Sequence, residues 1–136
     1  MGTITEDYVS FETAKILKEK GFYQDLFFDT TPVWKLNGNN PELVFNGDDG
    51  FPFQWEEWYS APTLQMAMKW LREVHNVFID ISSRFSKNAD KDVCFSYSCK
   101  KLIDTYKSSY EIGDGEWLNY EEACEAAIRC CLENLI

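Results

Sequence analysis

His75 is the only histidine in the chain, so any imidazole acid–base step would have to use it. It falls at the end of an apolar helical run, where a histidine that caps helix carbonyls is the simpler expectation. A thiol could borrow it as a base, with Cys94 or Cys99 as nucleophile, but such a pair needs hydrogen-bond reach and leaves no signature in sequence. The five cysteines contain no C-x-x-C, Cys94 and Cys99 have no second pair of matching spacing, and one histidine cannot complete a zinc set. No metal and no cofactor is expected. Glu56 and Glu57 stand between Trp55 and Trp58, a mixture of rings and acids that could grip a sugar or a peptide. Residues adjacent in sequence point apart in helix or strand, so a paired-carboxylate hydrolase does not follow. The loop Asn46–Gly50 lacks alternating calcium ligands, and there is no phosphate-cradling glycine loop, nucleophile elbow or nucleotide fingerprint. No catalytic residue is expected, and the balance is against an enzyme. The residue types support binding instead. Phe51, Phe53, Trp55, Trp58 and Tyr59 place five aromatics in nine residues beside Glu56 and Glu57, and rings of this kind dominate hot spots when exposed and cores when not. With His75 they are the candidate binding residues.

The elements that must position these residues are partly legible. Ser10 as N-cap and Gly21 just past the last turn predict a helix over 11–20, with Leu17 and Phe22 in the hydrophobic contact of a Schellman ending. Strands are expected at 33–36 and 42–45, joined by a loop over 37–41, and Pro41 argues for an edge strand. Residues 62–76 read as a central helix with a narrow polar stripe of Gln65, Lys69, Arg72 and Asn76. Leu64, Ala67, Met68, Leu71 and His75 make one apolar face and Met66, Trp70 and Val74 a second, so packing on more than one side is expected. Residues 77–85 alternate as a half-buried strand, and strands near 93–98 and 102–110 return alongside it as a meander, unless they are one bent strand. The last helix starts at the N-cap Asn119, with Glu122 completing a capping box and Leu118 placed to staple on Ala123. Its buried stripe is expected to be Tyr120, Ala123, Cys124, Ala127, Cys131 and Leu135. These elements predict an α+β fold over 1–136, a single domain in which an antiparallel sheet of about four to five strands packs with three helices.

Composition narrows the partners. At 136 residues the chain is long enough to bury a core without staples. An odd number of cysteines scattered among apolar neighbours suits a reducing compartment, and no secretion signal or membrane span is visible, so a soluble cytoplasmic protein is expected. The net charge is −10, and it is uneven: residues 1–60 carry 4 basic and 11 acidic side chains, 61–110 carry 8 and 5, and 111–136 carry 1 and 7. Direct nucleic-acid binding is not expected, because phosphates would meet acidic surface on most sides. Acidic flanks can steer a basic protein partner, although they also serve solubility alone.

Residues 4–15, 61–76 and 120–128, with the ending 132–136, resemble a family of small uncharacterised proteins from phages and mobile elements of gut bacteria. The resemblance covers the three helices, and segments around 23–58 and 82–115 differ from one such protein to another. It implies an accessory role inside an infected or element-carrying cell and brings no activity, cofactor or catalytic residue with it. The leading expectation is a non-enzymatic module that binds a protein through 51–59 and neighbouring acids. The alternative is a small ligand-binding protein or enzyme with a pocket between the central helix and the sheet, and a third reading is a homo-oligomer whose exposed rings meet.

Overall fold

Ser10 and Gly21 bound the first helix through backbone chemistry. The computed structural model describes residues 7–22, 32–45, 58–85, 93–104, 107–112 and 116–136, and α1 runs Phe11–Glu19. Ser10 Oγ accepts from the Thr13 N–H at 3.2 Å, satisfying a donor that a helix start leaves open. At the other end Gly21 takes φ 95°, the Phe22 N–H donates to the Leu17 carbonyl at 2.9 Å, and the Gly21 N–H donates to Lys18 at 3.1 Å. Leu17 and Phe22 are both buried, which completes the Schellman ending.

The described residues form three helices and six strands, an α+β architecture. The chain divides into two compact units, Met1–Gln65 and Met66–Ile136. Where one sheet was expected there are two antiparallel sheets of three strands, because each strand pairs with near neighbours in its own unit.

In the first unit β1 (Val33–Asn37) lies between β2 (Asn40–Val44) and β3 (Trp58–Ser60). The hairpin is tighter than the five-residue loop expected. Asn37 stands opposite Asn40, and Gly38, at φ 66°, takes the left-handed conformation that the short reversal needs. Pro41 lies on β2, an edge strand, where its missing N–H costs no ladder bond. Helix α1 packs on β3. The Phe11 ring meets Tyr59 and Trp34 edge to face at 5.5 and 6.2 Å, and Trp34 Nε1 donates to the Val9 carbonyl at 2.9 Å. Val9, Ala14, Leu17, Val33 and Ala61 form the apolar floor beneath them.

Helix α2 spans Leu64–His75. Leu64, Ala67, Met68 and Leu71 are buried while Gln65, Lys69 and Arg72 face water. The second packed face does not exist as expected: Met66 is 44% and Val74 59% exposed. Of that face only Trp70 is half-buried, its ring against His75, and since one stripe at i, i+3, i+4, i+7 suffices to anchor a helix, Met66 and Val74 need not turn inward.

In the second unit Asn76, at φ 56°, reverses the chain from α2 into β4 (Val77–Phe85), which pairs with β5 (Val93–Asp104), itself paired with β6 (Lys107–Ile112). The meander expected is present with shifted boundaries. Residues 93–104 are one strand and the third begins at Lys107, so Leu102 belongs to β5. The inward alternation of β4 holds at Val77, Ile79 and Ile81, then lapses at Ser83 and Phe85. Helix α3 (Tyr120–Asn134) lies across β5 and β4, and Asn119 Oδ1 accepts from the Glu122 N–H at 3.0 Å. Ala123, Cys124, Ala127, Ile128, Cys131, Leu132 and Leu135 are buried. Two expectations fail at its first turn. Tyr120 is 38% exposed, with its ring edge-on to Phe95, and Leu118 is 73% exposed, so no staple closes. The methyl of Ala123 is fully buried and offers Leu118 no surface. Among the described residues no helix is long and apolar enough to cross a membrane.

Candidate functional site

The end of α2, the C-terminal run of β5 and the end of α3 meet around one cavity. Val77 pairs with Lys101, so β5 residues 102–104 run past the start of β4. The Leu102 N–H donates to the Asn76 carbonyl at 3.0 Å, which ties that overhang to the turn after α2. The cavity is an open one of about 510 Å³, lined by Val74, His75 and Asn76, by Lys101, Leu102 and Ile103, and by Asn134 and Leu135. That volume suits a small molecule.

Aliphatic and polar residues line it in equal number, and polar atoms make up the larger share of its accessible wall. Val74, Leu102 and Ile103 are 59%, 42% and 57% exposed, so three apolar side chains that would normally be covered rim one concavity. Lys101 is the one lining residue with a fixed charge. The carbonyl ends of α2 and α3 reach the same wall, and an ammonium there offsets their partial negative charge. Asn134 is held in place: its Nδ2 donates to the Cys130 carbonyl at 3.1 Å and to Cys130 Sγ at 3.6 Å.

His75 does not cap helix carbonyls as expected. Its ring stands edge-on to Trp70 at 4.6 Å between centroids, and Nε2 is sealed from solvent with no hydrogen-bond partner. Packing on the indole takes the ring away from the capping position. Burial, and then the charge of Lys101, hold its pKa below the usual imidazole value.

All five thiols lie in the second unit, and one of them, the half-buried Cys130, meets the Asn134 that lines the cavity. Cys94, Cys99, Cys124 and Cys131 are all fully buried. Cys99 Sγ donates to the Ala127 carbonyl at 3.7 Å. A hydrogen bond with Cys99, reinforced by burial, pushes the Cys131 thiol up, and burial pushes up Cys124. Burial also raises the Tyr97 phenol, helped by its hydrogen bond with Cys130. Nucleophilic cysteines need the opposite shift. No hydrogen bond joins His75 to Cys94 or Cys99 among the described residues, so the Cys–His pair is not formed. No group of three or more metal-ligating side chains occurs among them either.

Of the expected binding residues only His75 lines the cavity. Trp58 and Tyr59 are half-buried on β3, with Lys35 Nζ 5.3 Å above the Trp58 ring and Lys18 Nζ 4.9 Å above Tyr59. Lys18 Nζ also donates to the Trp58 carbonyl at 3.3 Å, so both residues serve the first unit. Phe51, Phe53, Trp55, Glu56 and Glu57 lie outside the described residues, as do the 46–50 and 87–92 turns. The other lining residues, Val74, Asn76, Lys101, Leu102, Ile103, Asn134 and Leu135, were missed as binding residues. One signal was available: Leu102 and Ile103 are adjacent apolar residues on a strand, so one of them must face away from the core whatever the register. Comparison of the chain with protein-family models, with curated proteins and with solved structures finds no match.

Proposed function

We propose that this chain is a small-ligand-binding protein whose site is the cavity at the end of α2. The observation that carries the reading is the gathering of exposed Val74, Leu102 and Ile103 around a concavity of about 510 Å³ with Lys101, His75 and two asparagines at its wall. The ligand has an aliphatic part that covers the three rim side chains and a hydrogen-bonding end that meets Lys101, Asn76 or Asn134. Buried thiols with raised pKa values and an unpaired imidazole supply no nucleophile and base, so the reading is binding without turnover. The free cysteines support a reducing compartment, the cytoplasm. The biological setting is the accessory role that the resemblance to phage and mobile-element proteins implies. Protein capture through the aromatic stretch stands second, since Trp58 and Tyr59 are engaged within the fold.

A thermal-shift screen of small amphiphilic metabolites against the wild type and Ile103→Trp tests it. Ile103 is 57% exposed, so the fold should accept an indole that fills the mouth. A true ligand at a hundred times its Kd stabilises by about 2.7 kcal/mol, and Ile103→Trp should abolish that gain. Equal responses of the two proteins to every compound would sink the proposal.

A further inference from the structure

A different part of the second unit carries an inference independent of the cavity. Strand β4 lies at the edge of its sheet, and no described residue pairs with its outer side. Nine residues long, it has neither proline nor lysine, and no register irregularity breaks its pairing with β5. Those are among the devices by which proteins blunt an open edge, and the two charges that β4 does carry, Asp80 and Arg84, are of opposite sign. The other sheet shows the contrast, since its edge strand β2 carries Pro41. The C-terminal half of β4 is uncovered on both faces: Ser82, Ser83 and Arg84 are exposed and Phe85 is 70% exposed.

We propose that β4 is a dimerisation edge, on which two copies of this chain pair antiparallel about Ser82. The side-chain order commits the occupant to a second copy. With Ser82 on the two-fold axis, Asp80 of each copy stands opposite Arg84 of the other, and both share a face because directly opposed residues do. On the other face Ile79 meets Phe85 of the second copy, and Ile81 meets Ser83. Each contact occurs twice, so charge opposes charge and the exposed Phe85 gains an aliphatic neighbour, the isologous pattern of a two-fold interface. Arg84 already binds Glu116 at 2.6 Å, yet its side chain is 40% exposed and a guanidinium has five donors, enough for a second carboxylate. A single strand pair buries less than a standard interface, so the dimer is weak and concentration-dependent.

Size-exclusion chromatography with light scattering tests this on the full chain, with circular dichroism to verify folding of each variant. The wild type should pass from monomer to dimer as concentration rises. Asp80→Arg alone sets two guanidinium groups against each other at both ends of the strand pair, and Arg84→Asp alone sets carboxylate against carboxylate there, so each should stay monomeric. Mixed in equal amounts the two variants become complementary at both positions and should dimerise. That recovery cannot come from a folding defect. A wild type that stays monomeric at its highest soluble concentration, a dimer indifferent to Asp80→Arg, or a folded mixture that stays monomeric would each overturn the proposal.

Discussion

A histidine whose Nε2 is sealed from water without a partner holds its proton weakly. Burial is the larger cause of the lowered pKa of His75 and the charge of Lys101 the smaller. In the unfolded chain the imidazole titrates near 6.5, and in the folded protein it titrates below that value. Between the two values the unfolded chain binds more protons, so stability falls as pH drops below 6.5 and levels off beneath the folded pKa. His75→Asn should therefore lose less stability than the wild type between pH ~7.5 and ~5, since only the wild type must charge this ring. As the sole histidine it gives one imidazole signal by NMR, so its midpoint can be read directly. We expect a midpoint below 6.5, which Lys101→Met raises without restoring, because burial remains. A midpoint at or above the free value would contradict the buried placement. At this scale the sequence reached His75, which is conspicuous by being alone, but not the residues beside it. Lys101 and Asn134 become neighbours of His75 only through the β4–β5 pairing and the lie of α3, long-range contacts that no local pattern encodes.

Elements were more legible wherever a terminus has its own chemistry. Ser10, Gly21 and Asn119 each satisfy or release particular backbone groups, and the structure uses all three as expected. Apolar patterning was a weaker guide. It suggested two packed faces on α2 and a buried Tyr120, because a side chain that could be buried need not be when one stripe already anchors its helix. The single sheet divided into two for a related reason: alternation identifies a strand but not its partner. The start of α3 separates these two kinds of signal in one experiment. Asn119→Ala removes the acceptor of the Glu122 N–H and should cost about 1 kcal/mol. Leu118→Ser should be nearly neutral, because the side chain is 73% exposed and staples nothing. Urea unfolding at constant m-value measures both. A Leu118→Ser cost as large as the cap's would mean that the staple forms in solution.

For the molecule as a whole the dominant number is the net charge of −10. Among the described residues the ion pairs Arg84–Glu116 and Arg129–Glu133 lie at the surface, with side chains 35–50% exposed. Pairs of that kind contribute about 0–1 kcal/mol each. Attraction on this scale, with the few tenths that Glu121 and Glu122 gain at the start of α3, is set against the mutual repulsion of a large carboxylate excess. Salt weakens both, but the repulsion acts over longer distances and is lost first: the screening length falls from ~30 Å at 0.01 M to ~8 Å at 0.15 M. Stability at neutral pH should consequently rise with sodium chloride over that range, read as a higher urea midpoint at a protein concentration low enough to keep association out of the equilibrium. Near pH ~5, where part of the carboxylate charge is gone, the same addition should do less. If specific surface pairs were what held the fold, the midpoint would fall with salt instead, and the opposite sign makes the two accounts separable in a single titration.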